Sequence, residues 1–322
     1  MNQFNLEQEL LDLENIQVEN DDDECDNKFA DMFEFNSNLT DRPRDEDTNE
    51  GYDFAAIIVK KDNKKKKDEI IKEEQSNLLK IIPMKTNKAN IKQRPLMEAN
   101  IIPRHPSAVI FNGKSGSGKT QLMVNLLTRP QFYGRTKLND PKSQYFDLIF
   151  FFSPTADQDD LVRFLKLPKK RIINSFDTEK LDKILEVQDN LVKDKGVDKA
   201  PKILIVFEDI QSEPKFQRTK SFKRCYIQGR HINISTFLLG QSWTKTERMC
   251  RLQANNVFFF PSAASEVELI SNEYAPPNTT KKDFMNLVKD VTSKQYNFLH
   301  INFRCPPNER FRENLDVIVN CR

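Results

Sequence analysis

The sequence predicts an α/β fold with a mostly parallel central sheet flanked by helices. Five apolar runs alternate along the chain with stretches of helical periodicity, and this alternation indicates parallel strand pairing. The runs are continuously apolar, which is typical of strands covered on both faces. The five predicted strands are Ala108–Asn112, Asp147–Phe152, Ile203–Phe207, Ile234–Leu239 and Val257–Phe260.

The first hundred residues differ in composition from the rest of the chain. Met1–Glu50 contains 17 acidic and 3 basic residues, although the net charge of the whole chain is only +2. A segment of this kind repels itself and buries little apolar surface, so we expect a disordered acidic tail. The basic run Lys60–Lys67 could contact DNA phosphates, act as a nuclear address or be a solvated linker. We therefore predict a tail and linker over residues 1–100 and a folded domain over residues 101–322.

Helical patterns lie between the apolar runs and beyond the last of them. The longest places four leucine and isoleucine side chains on or near one stripe, as an amphipathic helix does. A late strand is expected at Gln295–Phe303, whereas Cys305–Arg322 has no clear pattern. The predicted helices are Gln121–Thr128, Asp157–Leu165, Asp177–Val192, Lys220–Gln228, Ser265–Glu273 and Lys281–Asp290.

The loop between the first strand and the first of these helices is rich in glycine. From Gly113 it reads GKSGSGKT, which matches the phosphate-loop pattern GxxxxGK[ST] in its expected setting. Its glycines allow backbone conformations in which successive N–H groups point inward and bind phosphate oxygens. The residues expected to contact a nucleotide are Gly113, Lys114, Ser115, Gly116, Ser117, Gly118, Lys119 and Thr120.

Catalytic roles are expected at the loop and at the ends of two strands. Lys119 would reach the β and γ phosphates of ATP, and the Thr120 hydroxyl would bind Mg²⁺. The third strand ends in Glu208 and Asp209, at the edge where α/β sheets bind ligands. Glu208 is expected to support Mg²⁺ and Asp209 to activate water, but the usual order of these acids is reversed, which leaves their division of labour open. Gln241, after the fourth strand, could sense the γ-phosphate or be an ordinary exposed amide.

Composition argues against a secreted or membrane protein. No apolar run approaches the roughly 18–20 residues of a membrane span, and no signal peptide is recognisable. The five cysteines are scattered and form no CxxC pair. Such usage fits a reducing intracellular compartment, so we expect a soluble protein.

Five segments together carry a family resemblance. They read HPSAVIFNGKSGSGKT, FFFSPTADQD, ILIVFED, GRHINISTFLLGQS and RLQANNVFFF. In this combination the chain resembles the DNA-packaging ATPases of large DNA viruses and virophages, the poxvirus-type branch of the FtsK–HerA superfamily. The likeness runs from about Arg104 to Arg312, and the long acidic N-terminal extension departs from it. It implies a RecA-like, ASCE-type P-loop NTPase fold.

The resemblance also implies partners and a location. It suggests a homo-oligomeric ring that drives double-stranded DNA into a preformed capsid, with a portal or another virion protein as partner. The expected locations are the host cytoplasm, in the virus factory, and the virion. In such rings an arginine of one subunit reaches the γ-phosphate held by its neighbour. Arg230 and Arg251 are the candidates, and each could instead be a surface or salt-bridge residue.

Other interpretations remain open at this point. Lys220, Lys223 and Arg224 could face DNA or simply form an exposed helix face. A P-loop kinase for a small molecule would need an arginine-bearing lid, for which the sequence has no obvious segment. A nucleotide-switched scaffold, docking a partner through its acidic tail, would need no sustained hydrolysis.

Overall fold

One nine-stranded sheet organises the part of the chain that the structure, a computed structural model, describes: residues 91–137, 140 and 143–320. The predicted acidic tail and the Lys60–Lys67 run lie outside the described residues. The strands are β1 Ala108–Asn112, β2 Leu148–Phe152, β3 Ile172–Ile173, β4 Ile203–Glu208, β5 Ile234–Gly240, β6 Asn256–Phe259, β7 Leu299–Asn302, β8 Phe311–Glu313 and β9 Val317–Ile318.

Helices connect and cover these strands. The longest begins at Thr178 with Asp177 as its cap, whose carboxylate accepts from the Lys180 amide, and it ends at a glycine, Gly196. The helices are α1 Pro95–Glu98, α2 Lys119–Thr128, α3 Asp160–Arg163, α4 Thr178–Lys195, α5 Pro214–Gln217, α6 Lys220–Ile227, α7 Arg248–Gln253, α8 Ala264–Tyr274 and α9 Lys281–Val291.

The strand order is β3-β2-β4-β5-β1-β6-β7-β8-β9. The strands from β3 to β6 pair in parallel, and the strands from β6 to β9 pair antiparallel. All five predicted strands are present and form the parallel core, which confirms the predicted mostly parallel α/β sheet. β5, the fourth of the predicted strands, lies between β1 and β4, and this is the arrangement expected of the ASCE class.

Apolar layers cover both faces of the sheet, as the continuous runs predicted. On one face α2 and α3 pack against Val109, Phe111 and Val206. On the other face α4, α6, α8 and α9 pack against residues such as Ile110 and Phe207. The sheet is therefore the middle of three layers, and polar groups on these strands are confined mainly to their ends.

Two predicted elements differ in the structure. The helix predicted over Asp157–Leu165 is broken into a 3₁₀ turn, Ala156–Gln158, and the four-residue α3. The strand predicted over Gln295–Phe303 begins only at Leu299, because Tyr296 has a left-handed backbone with φ of 68° and sits in a turn. The short strands β3, β8 and β9 had no recognisable pattern.

Residues just before the predicted domain boundary also pack onto the domain. Met97 is fully buried, and one guanidinium nitrogen of Arg94 donates to the Phe132 and Gly134 carbonyls at 2.6 and 2.7 Å. The division at residue 100 stays a prediction. Within the described residues, no helix combines the length and apolarity that crossing a bilayer requires.

Candidate functional site

The loop between β1 and α2 bends tightly beneath the end of the sheet. The Gly113 amide donates to the Gly240 carbonyl at 3.1 Å, and the Lys114 amide donates to the Pro261 carbonyl at 3.3 Å. Gly116 and Gly118 have φ of 72° and 102°, which favour glycine. A Cβ on Gly113 would lie 2.5 Å from the Cβ of Phe260, so this position tolerates no side chain. Strands on both sides of β1 therefore fix the start of the loop.

Lys119 is the first residue of α2, and its side chain turns back toward the loop. Its ammonium donates to the Gly113 and Lys114 carbonyls at 2.8 and 2.9 Å. Burial lowers the pKa of Lys119, and the nearby charges of Asp209 and Glu208 oppose that shift. The structure thus brings the lysine of the loop into the electrostatic reach of both predicted acids.

Thr120 and Glu208 meet directly across the gap between α2 and β4. The Thr120 hydroxyl donates to Glu208 Oε1 at 2.8 Å. Glu208 is 6% exposed, and its other oxygen, Oε2, is buried without a hydrogen-bond partner among the described residues. Burial raises the pKa of Glu208, the Thr120 hydrogen bond opposes the shift, and the Asp209 charge adds to it. A hard cation between these oxygens would satisfy the unpartnered atom, so the donor set fits Mg²⁺.

Asp209 belongs to a second group of polar side chains. It follows β4 in a left-handed backbone conformation, with φ of 54°. Its Oδ1 accepts a hydrogen bond from the side-chain Nε2 of Gln241 at 2.9 Å. Gln241 is exposed, so its side chain is accessible from solvent. The two acids therefore have different neighbours: Glu208 contacts the phosphate loop and Asp209 contacts the end of β5.

Gln211 is a residue that sequence reasoning missed. Its Oε1 accepts from the Gln241 backbone amide at 2.7 Å, and its Nε2 donates to the Ser242 carbonyl at 2.9 Å. It thereby ties the turn after β4 to the end of β5 and positions Gln241 beside Asp209. A single amide in a polar loop has no sequence signal, and only the adjacency of β4 and β5 reveals its role.

The two candidate arginines lie in different surroundings. Arg230 is exposed and precedes β5, at the end of the sheet opposite the phosphate loop. The seven residues of β5 span about 20 Å, so Arg230 cannot reach the phosphate loop of its own chain. Arg251 is 8% exposed, forms an ion pair with Glu273 and lies over the Trp243 ring at 5.6 Å. A role for Arg251 in a neighbouring subunit would require this pair to break.

The basic residues of α6 do not form one uniform face. Lys220 is exposed, whereas Lys223 and Arg224 are half-buried. Arg224 lies 3.8 Å from Asp189 of α4 and donates to the Gln228 side chain at 2.9 Å. A DNA-facing role for these three residues stays a prediction.

Structures of viral packaging proteins are among those similar to this chain. The genome packaging NTPase B204 from Sulfolobus turreted icosahedral virus 2, in complex with ATP-gammaS, is 15% identical with a TM-score of 0.43, over 66% of this chain and 98% of that chain. B204, the DNA-packaging ATPase from Sulfolobus turreted icosahedral virus, is 15% identical with a TM-score of 0.43, over 62% of this chain and 94% of that chain.

A secretion protein is similar to a comparable degree. The cytoplasmic domain of the type VII secretion ATPase EccC from Thermomonospora curvata is 10% identical with a TM-score of 0.41, over 65% of this chain and 23% of that chain. Likeness at these identities and TM-scores does not by itself establish a shared activity. The comparison with curated proteins found no match.

One family model matches the chain over residues 96–303, and its description is Poxvirus A32 protein. This span is well over half of the 322 residues. It contains the phosphate loop, the acid pair, Gln241 and both candidate arginines, and it confirms the predicted poxvirus-type resemblance. The chain therefore belongs to the Poxvirus A32 protein family.

Proposed function

We propose that this protein is an ATPase that uses ATP hydrolysis to translocate viral double-stranded DNA into a capsid. The observation that carries the proposal is the contact between Thr120 and Glu208, beside a buried and unpartnered Glu208 Oε2. It joins a phosphate loop to an acid at the end of a parallel strand, which is the arrangement that positions a nucleotide for phosphoryl transfer to water. Membership in the A32 family, together with the sequence resemblance to packaging ATPases, supports the DNA-translocating role.

Each side chain of the site has a chemical role in this proposal. The loop amides bind phosphate oxygens, and Lys119 offsets the charge that develops on the β and γ phosphates. Thr120 and Glu208 would hold Mg²⁺, which supplies further charge neutralisation when bound. Asp209 accepts the proton of the attacking water, and Gln241, hydrogen-bonded to it at 2.9 Å, orients that water or senses the γ-phosphate. The reversed order of the acids is thus accommodated by the turn at Asp209.

The proposal includes a ring of identical subunits. Arg230 is the better of the two candidates for a charge supplied to a neighbour, because it is exposed and lies far from its own nucleotide site. Arg251 is engaged within its subunit by Glu273. The portal or another virion protein is the proposed docking partner, and the host cytoplasm and the virion are the proposed locations.

The test is ATP turnover by the full chain with and without duplex DNA, over a series of salt concentrations. We expect duplex DNA to raise turnover, and the stimulation to fade as salt displaces phosphate contacts. Lys119→Ala and Glu208→Gln should each lower turnover about 10²-fold or more, because each removes a charge that acts on the transition state. Glu268→Gln is the matched control, since Glu268 is an exposed acid on α8 paired with Lys281, and it should leave turnover unchanged.

Two results would contradict the motor. ATP turnover that does not change with DNA but requires a small molecule that accepts the phosphate would indicate a kinase. Packaging that continues with Glu208→Gln, despite lost hydrolysis, would indicate a nucleotide-switched scaffold.

A further inference from the structure

An exposed aromatic ring lies against the phosphate loop where the loop becomes a helix. Tyr296 is 58% exposed. A Cβ on Gly118 would lie 3.2 Å from Cδ1 of the Tyr296 ring and 3.7 Å from Cε1 of Phe260. Gly118 is the residue immediately before α2. The ring therefore borders the N-terminal end of that helix.

The position of Tyr296 relative to Glu208 indicates which end of a bound triphosphate would lie near the ring. In the sheet, β5 and β4 lie on one side of β1, and β6 and β7 lie on the other. Glu208 ends β4 and contacts Thr120, which marks the side of the loop where the γ-phosphate and its cation belong. Tyr296 precedes β7, on the opposite side. A triphosphate bound along the loop with its cation at Glu208 would have its nucleoside end on the side of Tyr296.

The segment that carries Tyr296 is anchored by the two residues that follow it. The Asn297 side chain donates to Glu313 Oε1 at 2.8 Å, and the Phe298 amide donates to Asn314 Oδ1 at 3.2 Å. The Phe298 ring packs on Phe260, with centroids 5.1 Å apart. Tyr296 itself has φ of 68°, which a bulky residue adopts only when its surroundings impose it. The ring is thus presented to solvent by a fixed support.

We propose that Tyr296 is the platform on which the base and ribose of the bound nucleotide rest. The inference rests on the proposed nucleotide site and adds a residue to it. Stacking on an aromatic face tolerates any base, because every base has a π-face. The contact therefore gives the site a preference for nucleotides over inorganic triphosphate, but little discrimination between adenine and guanine.

The experiment is calorimetric binding of ATP, GTP and inorganic triphosphate, each with Mg²⁺, to the full chain and its variants. Tyr296→Ala should weaken ATP and GTP alike by about 5- to 150-fold, which is the range for loss of one base–aromatic stack. Binding of inorganic triphosphate should stay within about twofold. Tyr296→Phe keeps the ring and should bind as the original chain does. Phe164→Ala, which removes a ring that is 67% exposed after α3, should change nothing.

Two outcomes overturn the assignment. One is that Tyr296→Ala binds ATP as tightly as the original chain does. The other is that Tyr296→Ala loses affinity for ATP and inorganic triphosphate equally, which would mean that the ring only supports the loop. Failure of the proposed function has a different signature, because the original chain would then bind neither ATP nor triphosphate, or would bind ATP without turning it over.

Discussion

At the scale of single residues, one turn decides how the two acids divide their work. The sequence left this open because aspartate and glutamate are both hard oxygen ligands. In the structure Glu208 is the last residue of β4 and contacts Thr120, whereas Asp209 has a left-handed backbone and accepts from Gln241. The longer side chain reaches the loop, and the shorter one stays near the end of β5. The two acids are distinguished by their positions and not by their chemistry. Exchanging Glu208 and Asp209 therefore tests the roles assigned to them.

The close packing around Gly113 predicts the effect of adding one methyl group there. Gly113→Ala places a Cβ 2.5 Å from the Phe260 Cβ and 2.8 Å from Ser117 Oγ. The Phe260 Cβ is tied to the backbone beyond β6 and cannot move aside cheaply. We expect the free energy of unfolding to fall by about 1–3 kcal/mol, as overpacking does, and nucleotide binding to weaken. Urea denaturation and calorimetry measure the two effects.

The control for that substitution is a glycine outside the phosphate loop. Gly196→Ala, after α4, meets no atom within 4 Å but carries a positive φ of 84°, so its cost is backbone strain alone. Equal losses of stability in the two variants, with nucleotide binding intact in Gly113→Ala, would contradict the packing argument.

At the scale of elements, helix α8 holds the segment that follows β5. Glu266 is buried, and its carboxylate accepts from the Trp243 amide and, at 2.9 Å, from the Ser242 hydroxyl. Glu273, two turns later on the same helix, accepts from the Trp243 indole at 2.8 Å and pairs with Arg251 of α7. One helix therefore anchors the end of the strand that carries Gln241.

Substitution of Arg251 distinguishes a role in this anchoring from a role in a neighbouring subunit. Arg251→Met leaves the Glu273 carboxylate without its cation in a mostly buried setting, so the free energy of unfolding should fall by about 3 kcal/mol. Adding Glu273→Gln should restore part of the loss, because the amide oxygen can still accept from Trp243. Chemical denaturation of the single and double variants measures both changes.

A different pattern would favour the role in a neighbouring subunit. If Arg251→Met unfolds like the original chain yet lowers ATP turnover when mixed with it, the ion pair is not the main function of this arginine. Arg230→Ala is the companion variant, since its exposed side chain should cost little stability.

At the scale of the whole molecule, two buried histidines link strands of the sheet. His105 Nε2 lies 2.7 Å from Asn233 Oδ1, and Nδ1 lies 2.7 Å from the Ser235 hydroxyl, which accepts from the Ser107 amide. Since Asn233 Oδ1 can only accept, the neutral ring carries its proton on Nε2. His300 stacks on Phe258 with centroids 4.4 Å apart, and its Nε2 contacts Asn256. Both rings join separate segments while remaining uncharged.

These histidines predict a pH dependence of stability. Burial lowers the pKa of His105 and of His300 from 6.5 to about 3. Their pKa values are depressed in the folded state, so below pH 6.5 the unfolded chain takes up protons that the folded chain does not. The free energy of unfolding should therefore fall by about 1.4 kcal/mol per pH unit for each histidine between pH 6.5 and 3. Urea denaturation at pH 7, 6 and 5 measures the slope.

A matched pair of variants identifies the source of that slope. His300→Phe keeps the stack on Phe258 and should remove about half of the loss between pH 6.5 and 5, whereas His231→Gln, at an exposed position, should not. An unchanged slope in His300→Phe would assign the pH dependence to other groups.

Prediction from sequence succeeded where a residue pattern repeats over a whole element. The five core strands and the helices around Leu181, Phe222 and Val288 follow from apolar periodicity, because each needs only its own residues and a buried face. It was wrong where a few residues compete with the pattern. Asp159 caps a new helix within Asp157–Leu165, and the turn at Tyr296 delays the last predicted strand.

The candidate site divides in the same way. The phosphate loop was predictable because its glycines, Lys119 and Thr120 are contiguous and their chemistry depends on spacing alone. Gln211, the support of Gln241, and the ring of Tyr296 were not, because each lies far along the chain from what it contacts. The domain boundary and the placement in the FtsK–HerA superfamily stay predictions.

The sequence by itself determined which segments form the parallel core, where the phosphate loop lies and which acids end a strand, because these depend on local periodicity and on neighbouring residues. Only the tertiary structure decided that β5 lies between β1 and β4, that Glu208 meets Thr120 at 2.8 Å and that Arg251 is engaged by Glu273. Those facts depend on strand order and on which helix covers which strand end. Strand order is settled by the packing of both sheet faces at once, and no single stretch of the chain contains that information.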